Sequence, residues 1–340
     1  MSDYRRILVV RRDNIGDLVL TTPLIHALRE RFPAAWIGAL TNGYNAPVLA
    51  GNPDLNAVYA YDKAKHRPDR WRLRVAAGTA RLLLELRRLR IDLAIIAAPG
   101  YQRQSLNLVR WIAAHEVLGF AAPGDGRRIT LPVEYGSGAA LHAAQDVFRL
   151  LAPLGVHDDP GPCRMTVDPQ TLAAMRQRLA GTRQPLVALH ISARRPRQQW
   201  PAQRFAEVIA ALNRDGATVM LLWAPGTEND PRHPGDDAKA QAVRELAGAQ
   251  AALVPVPTTS LAELAAALSC ADLMVCADGG AMHVAAAVGT PVVAMFGDSP
   301  PHRWRPWGVN HRVVAAPGSD LAQLEAAPVI EAARALLPVA

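Results

Sequence analysis

Asp272-Leu273-Met274-Val275-Cys276-Ala277-Asp278-Gly279-Gly280-Ala281-Met282-His283-Val284-Ala285-Ala286-Ala287 is the stretch on which the fold turns. An apolar run ends in a polar turn with two glycines, and an Ala-rich apolar stretch follows. The pattern predicts a buried strand, a tight turn and a helix. Gly279 and Gly280 remove side chains from the turn, so backbone N–H groups can approach a ligand closely. The start of the helix adds unsatisfied N–H groups and the positive end of its dipole, which together suit a phosphate. Gly289-Thr290-Pro291 and a second apolar run, Val292 to Met295, complete a strand–loop–helix–strand unit whose natural ligand is a nucleotide diphosphate. Glycine pairs also turn strands into helices where nothing binds. Here a carboxylate, Asp278, and an imidazole, His283, flank the turn and favour the anion site.

The same alternation extends in both directions. Arg6–Val10, Trp36–Leu40, Ala57–Ala60 and Leu93–Ala97 read as strands, with helical spacing over Leu18–Arg31, Val75–Arg90, Gln104–Ala114 and Ala139–Leu154. Pro160-Gly161-Pro162 interrupts the pattern as a linker would. After a short strand at Arg164–Val167, strands recur at Leu186–His190, Thr218–Trp223, Leu273–Ala277 and Val292–Phe296. Helices fall near Pro201–Asn213, Asp237–Ala247, Leu261–Ala267 and Ala281–Val288. Apolar strands separated by amphipathic helices imply parallel sheets covered on both faces. Residues 1–160 and 161–316 are thus expected to be two doubly wound α/β domains facing across a cleft, with ligands at the carboxyl ends of their strands. A last helix, Asp320–Leu337, is expected to pack back on the first domain.

The 340 residues suffice for two such cores, and the 50% hydrophobic and 20% charged composition is that of a globular protein. Three cysteines, Cys163, Cys270 and Cys276, suggest a reducing compartment rather than a disulfide framework. The N-terminus runs straight into a strand and no run of 18 apolar residues occurs, so a cytoplasmic protein is expected. The charge is uneven. Residues 1–160 carry 21 Lys and Arg against 15 Asp and Glu, and residues 161–340 carry 16 against 15. Ten basic residues lie between Lys63 and Arg90. From Arg81 to Arg90 they read as a solvated helix face. Lys63, Lys65, Arg67, Arg70, Arg72 and Arg74, with Pro68 and Trp71, read as a basic loop entering a helix, suited to an anionic partner. Aromatics at 5% and the lack of a binding module disfavour nucleic acid.

Four motifs taken together give the chain a likeness to a family. They are Ile7-Leu8-Val9-Val10-Arg11-Arg12-Asp13-Asn14-Ile15-Gly16-Asp17 running to Pro23; Leu189-His190-Ile191-Ser192 with Gln199-Trp200-Pro201 and Arg204-Phe205; Trp223-Ala224-Pro225-Gly226-Thr227-Glu228; and the Asp278–His283 turn. From about residue 5 to 315 the chain resembles the ADP-heptose–lipopolysaccharide heptosyltransferases, glycosyltransferase family 9, of the GT-B fold. The resemblance implies an inverting transfer in which Asp17 takes the acceptor proton, with Asp13, Gly16 and Arg103 on the acceptor side beside the basic loop. Asp13 is the rival base, and Asp17 read alone could equally cap a helix. On the donor side, Gly279, Gly280 and Ala281 amides would hold the diphosphate, with Asp278, His283 and Ser192 nearby and Glu228 on the ribose.

One position departs from the family. The family often has a lysine two residues before the Trp-Pro pair, and here that residue is Gln198. Arg194, Arg195 and Arg197 are candidates to supply the missing charge. No Asp-x-Asp pair or clustered Cys/His spacing suggests a metal, and no cofactor is implied beyond the nucleotide-sugar substrate. The partners implied are an ADP-sugar, a phosphorylated lipid-linked saccharide and, peripherally, the anionic inner face of a membrane. A dinucleotide oxidoreductase is disfavoured because no Gly-x-Gly-x-x-Gly follows the first strand. A nucleotide-sugar 2-epimerase of the same fold and a non-catalytic carbohydrate-binding scaffold remain as alternatives.

Overall fold

The computed structural model describes residues 3–61, 69–121, 128–136, 140–230 and 234–337, with residues 69–74 as backbone only. The chain divides into two compact units, Met1–Thr166 and Val167–Ala340. In the first, the described strands are β1 (Arg6–Val10), β2 (Trp36–Asn42), β3 (Ala57–Tyr61), β4 (Leu93–Ile96), β5 (Glu116–Ala121) and β6 (Leu131–Glu134). Helices α1 (Ile15–Val19), α2 (Thr22–Arg31), α3 (Asp69–Arg88), α4 (Arg103–Ile112) and α5 (Ala143–Phe148) connect them. The second unit has α6 (Pro169–Arg178), β7 (Leu186–His190), α7 (Ala202–Arg214), β8 (Thr218–Trp223), α8 (Asp237–Ala247) and β9 (Leu253–Pro257). It continues through α9 (Leu261–Ser269), β10 (Leu273–Ala277), α10 (Gly280–Ala287), β11 (Val292–Phe296), α11 (Pro301–Trp304), β12 (His311–Ala315) and α12 (Ala326–Leu336).

Strand order is β3-β2-β1-β4-β5-β6 in one sheet and β12-β11-β10-β7-β8-β9 in the other. Every paired neighbour is parallel. Numbered from its own first strand, each sheet has the order 3-2-1-4-5-6, the doubly wound arrangement whose crevice opens where the winding reverses. Those points are the carboxyl ends of β1 and β4 in one unit and of β7 and β10 in the other. The central strands are fully buried runs such as Ile7-Leu8-Val9-Val10 and Leu273-Met274-Val275-Cys276, as strands covered on both faces must be. Leu106 and Val109 of α4 pack on Leu8, Val10 and Ile96. Phe205, Val208 and Leu212 of α7 pack on Val187, Leu189 and Val275.

Several elements differ from expectation. The helix expected over Leu18–Arg31 is two helices, broken at Leu20 and Thr21, with Pro23 in the first turn of the second. No strand forms at 164–167; the Arg164 N–H instead donates to Thr22 Oγ1 at 3.0 Å, inside the first unit. The helix expected from 75 begins at Asp69, so Arg70, Arg72 and Arg74 belong to α3 and not to a loop. Lys63, Lys65 and Arg67 lie outside the described residues. The terminal helix packs on the second unit, where Val329 and Ala333 share a core with Phe205 and Leu212.

Candidate active site

In the first unit the chain leaves β1 through Arg11, Arg12 and Asp13, and Asn14 precedes α1. Asp17 is the third residue of that helix, and its two carboxylate oxygens have different partners. Oδ2 accepts from the Asn14 backbone N–H at 3.1 Å, satisfying a donor that a helix start leaves open. Oδ1 accepts from Arg11 Nη2 at 2.9 Å. The helix-capping and the ion-pairing roles therefore coincide in one side chain. Arg11 is almost fully buried, and its other Nη donates to the Ala97 carbonyl at the end of β4.

Asp13 is fixed through its backbone. Its carbonyl accepts from Asn42 Nδ2 at 3.1 Å, at the end of β2, and from Asn45 Nδ2 at 3.0 Å, just beyond it. Its carboxylate lies 3.1 Å from Arg11 Nε and accepts from Gln102 Nε2 at 3.3 Å. Gln102 immediately precedes α4, so Arg103, exposed in that helix's first turn, borders the same crevice. Gly16 is buried within α1. The structure thus assembles Asp13, Asp17 and Arg11 at the switch point of the first sheet. Sequence reasoning assigned no role to Arg11 or Gln102. The signal for Arg11 was available: a cation directly after a buried strand, with aspartates two and six residues on.

In the second unit Asp278 follows β10, Gly279 precedes α10, and Gly280 and Ala281 form that helix's first turn. Gly279 has φ 168°, an extended backbone open to any residue, so conformation does not demand glycine there. A Cβ at Gly279 would meet no protein atom within 4 Å. The glycine leaves open space over the turn. His283 is buried in the helix.

Burial, reinforced by the Asp298 charge, holds the Asp278 carboxyl above the usual range, against the opposing pull of a Ser299 hydrogen bond, the Arg195 charge and Gln198. Gln198 Nε2 donates to Asp278 Oδ2 at 3.1 Å. The loop bearing Arg194, Arg195 and Arg197 is held by a close backbone contact. A Cβ on Gly297, beyond β11, would collide with the Arg197 carbonyl oxygen. Only glycine lets the two segments approach that closely.

Ser192, expected as a phosphate hydroxyl, is tied elsewhere. It accepts from the Ala224 N–H at 3.0 Å and hydrogen-bonds Asp236. It therefore joins the loops after β7 and β8. Lys239, on α8, donates to the Ile191 carbonyl at 3.0 Å, and its charge reaches Asp236 and the exposed Glu228. Trp200 is a core residue, 1% exposed, packed edge-on to Phe205 and donating to the Leu324 carbonyl at 2.9 Å. Among the described residues no group of three or more His, Cys, Asp or Glu side chains is arranged to hold a metal ion. Among them, too, no helix is long and apolar enough to cross a membrane.

Comparison with known proteins adds four findings. Residues 80–331 match the family model described as glycosyltransferase family 9 (heptosyltransferase). The sequence is 29% identical over 312 residues to lipopolysaccharide heptosyltransferase 3 of Escherichia coli, covering 87% of this chain and 84% of that one. Among solved structures, a glycosyl transferase family 9 protein from Veillonella parvula superposes with a TM-score of 0.84 at 23% identity, covering 98% of this chain and 97% of that one. The E. coli heptosyltransferase WaaC with ADP superposes at 0.77 and 20% identity, covering 97% and 99%.

Proposed function

The chain belongs to glycosyltransferase family 9 and has the GT-B fold, and from that premise we propose that it moves a heptose from ADP-heptose to an anionic, inner-core lipopolysaccharide-type acceptor. The observation that carries the mechanism is the Asp17 carboxylate, set at the carboxyl end of β1 with one oxygen on the Asn14 N–H and the other on Arg11. Asp17 takes the proton of the acceptor hydroxyl as that oxygen bonds to the anomeric carbon. The bond from that carbon to the diphosphate breaks on the opposite face, inverting the centre, and the electron pair leaves with ADP. In the second unit the first-turn amides of α10 and the open space at Gly279 receive the diphosphate. Arg195, close enough for its charge to reach Asp278, supplies positive charge where the family often has lysine.

The donor assignment is supported by relatives. Solved structures include WaaC with ADP and with ADP-2-deoxy-2-fluoro heptose. Arginines, amides and a helix dipole suffice to stabilise the leaving group, so the proposed step calls on no metal. The acceptor side is basic, with Arg103 exposed at the start of α4 and Arg70, Arg72 and Arg74 on α3. A lipid-linked acceptor places the enzyme at the cytoplasmic face of the membrane as a peripheral protein.

Thermal unfolding against a panel of ADP- and UDP-sugars tests the donor. A ligand at 100 times its Kd adds about 2.7 kcal/mol of stability. ADP-heptose should raise Tm accordingly and UDP-sugars should leave it unchanged; the reverse pattern would reject ADP-heptose as donor.

A further inference from the structure

Two buried polar atoms at the first switch point lack a hydrogen bond, and they face one another. They are Arg11 Nε and Asp13 Oδ2, 3.1 Å apart. They are close enough to pair as ions but not aligned as donor and acceptor. On its other side the same guanidinium makes an aligned 2.9 Å bond to Asp17. One buried cation thus serves two carboxylates, on unequal terms. The other side chains bonded to this turn, Asn14, Asn42, Asn45 and Gln102, are neutral. The neighbouring charge is Arg12, whose guanidinium is held by Tyr61 and Gln104.

Charge counting shows what this arrangement does. With Asp13 and Asp17 ionised the three groups carry one net negative charge; when Asp17 takes a proton they carry none. Without Asp13, protonation of Asp17 would leave a buried guanidinium uncompensated, an expensive state. We propose that Asp13 is a positioning residue for the base: by sharing Arg11 it lets Asp17 accept the acceptor's proton without stranding a buried cation. This rests on Asp17 being the base, and it distinguishes Asp13 from a rival base or an acceptor ligand.

The test compares wild type with Asp13→Asn and Asp13→Glu, using ADP-heptose and heptose-deficient lipopolysaccharide core as substrates. Asp13→Asn should shift the acid limb of kcat/KM about one unit lower, the usual size for a neighbouring charge. Plateau kcat should fall about ten-fold, as a weaker base requires. Asp13→Glu should restore both. A second readout needs no turnover: the side-chain ¹³C carboxyl signal of Asp17, assigned by its loss in Asp17→Asn, should titrate at lower pH in Asp13→Asn. An acid limb and carboxyl titration unchanged from wild type, with only acceptor KM raised, would overturn the proposal. So would an Asp13→Asn loss as deep as that of Asp17→Asn with the carboxyl titration unmoved. If Asp17→Asn kept normal turnover, the base assignment would fall, while the carboxyl titration would still decide whether Asp13 and Asp17 share Arg11.

Discussion

Gln198 Nε2 lies 3.1 Å from Asp278 Oδ2 and 3.1 Å from Ser299 Oγ, so one buried amide joins the loop after β7 to the turns after β10 and β11. Its two N–H groups meet two acceptors in the turns that follow neighbouring strands. A lysine, which the family often carries here, would bring a positive charge to the same spot. Gln198→Leu removes both donors beside a buried carboxyl. It should cost about 1–3 kcal/mol of stability, the penalty of unsatisfied buried groups, and weaken ADP binding. Melting curves with and without ADP check both parts; unchanged Tm would show that the bridge contributes nothing.

Gly279 offers a cleaner probe of the donor cradle. Because its backbone is extended and a Cβ there meets nothing, Gly279→Val should fold with a Tm close to wild type. The added side chain would fill the space assigned to the diphosphate. Calorimetry should then find ADP affinity reduced by about 100-fold, roughly 2.7 kcal/mol. Wild-type affinity in the folded variant would move the donor site elsewhere.

How much of this was legible beforehand follows from where each element lies. Central strands such as β1, β7 and β10 announce themselves as unbroken apolar runs because both their faces are covered. The edge strands β6, β9 and β12 do not. Pro132, Pro255 and Pro257 interrupt the first two, which an edge tolerates and a centre does not. β5 carries Gly119 in its interior, where Ile96 and Ile129 pack against the backbone. The Asp17 and Asp278 turns could be read from glycine and carboxylate spacing. The Arg11 contact with Ala97 and the Gln198 bridge could not, since those partners lie 86 and up to 101 residues apart. The Ser192 bond to Ala224 was equally hidden, because it joins the loop after β7 to the loop after the neighbouring strand β8, 32 residues on.

His190 links the fold to pH. Burial, and then the nearby Lys239 charge, push its imidazole down to about 4 from an ordinary value near 6.5. Between those values the unfolded chain holds a proton that the folded chain does not, so stability falls as pH drops from 6.5 to 4. The loss is on the order of 3 kcal/mol. In His190→Asn the decline of Tm over this interval should flatten. A parallel pH profile in the variant would assign the acid sensitivity to other groups.

The acceptor side should respond to salt. Charges on an exposed basic surface are screened over a Debye length of about 8 Å at physiological ionic strength. KM for the lipopolysaccharide acceptor should therefore rise more steeply with salt than KM for ADP-heptose. Replacing Lys63, Lys65, Arg67, Arg70, Arg72 and Arg74 with Ser or Gln should raise acceptor KM alone. Equal salt dependence for both substrates would assign these charges to solubility.

The central claim is tested most directly by heptose transfer in Asp17→Asn, followed by mass spectrometry of the acceptor with ADP binding measured in parallel. Transfer should fall by roughly 10²–10⁴-fold while ADP affinity stays within a few-fold of wild type. Near-normal transfer by the variant would contradict Asp17 as the base, and no heptose addition by the wild-type enzyme from ADP-heptose to any lipopolysaccharide core would contradict the proposed reaction itself.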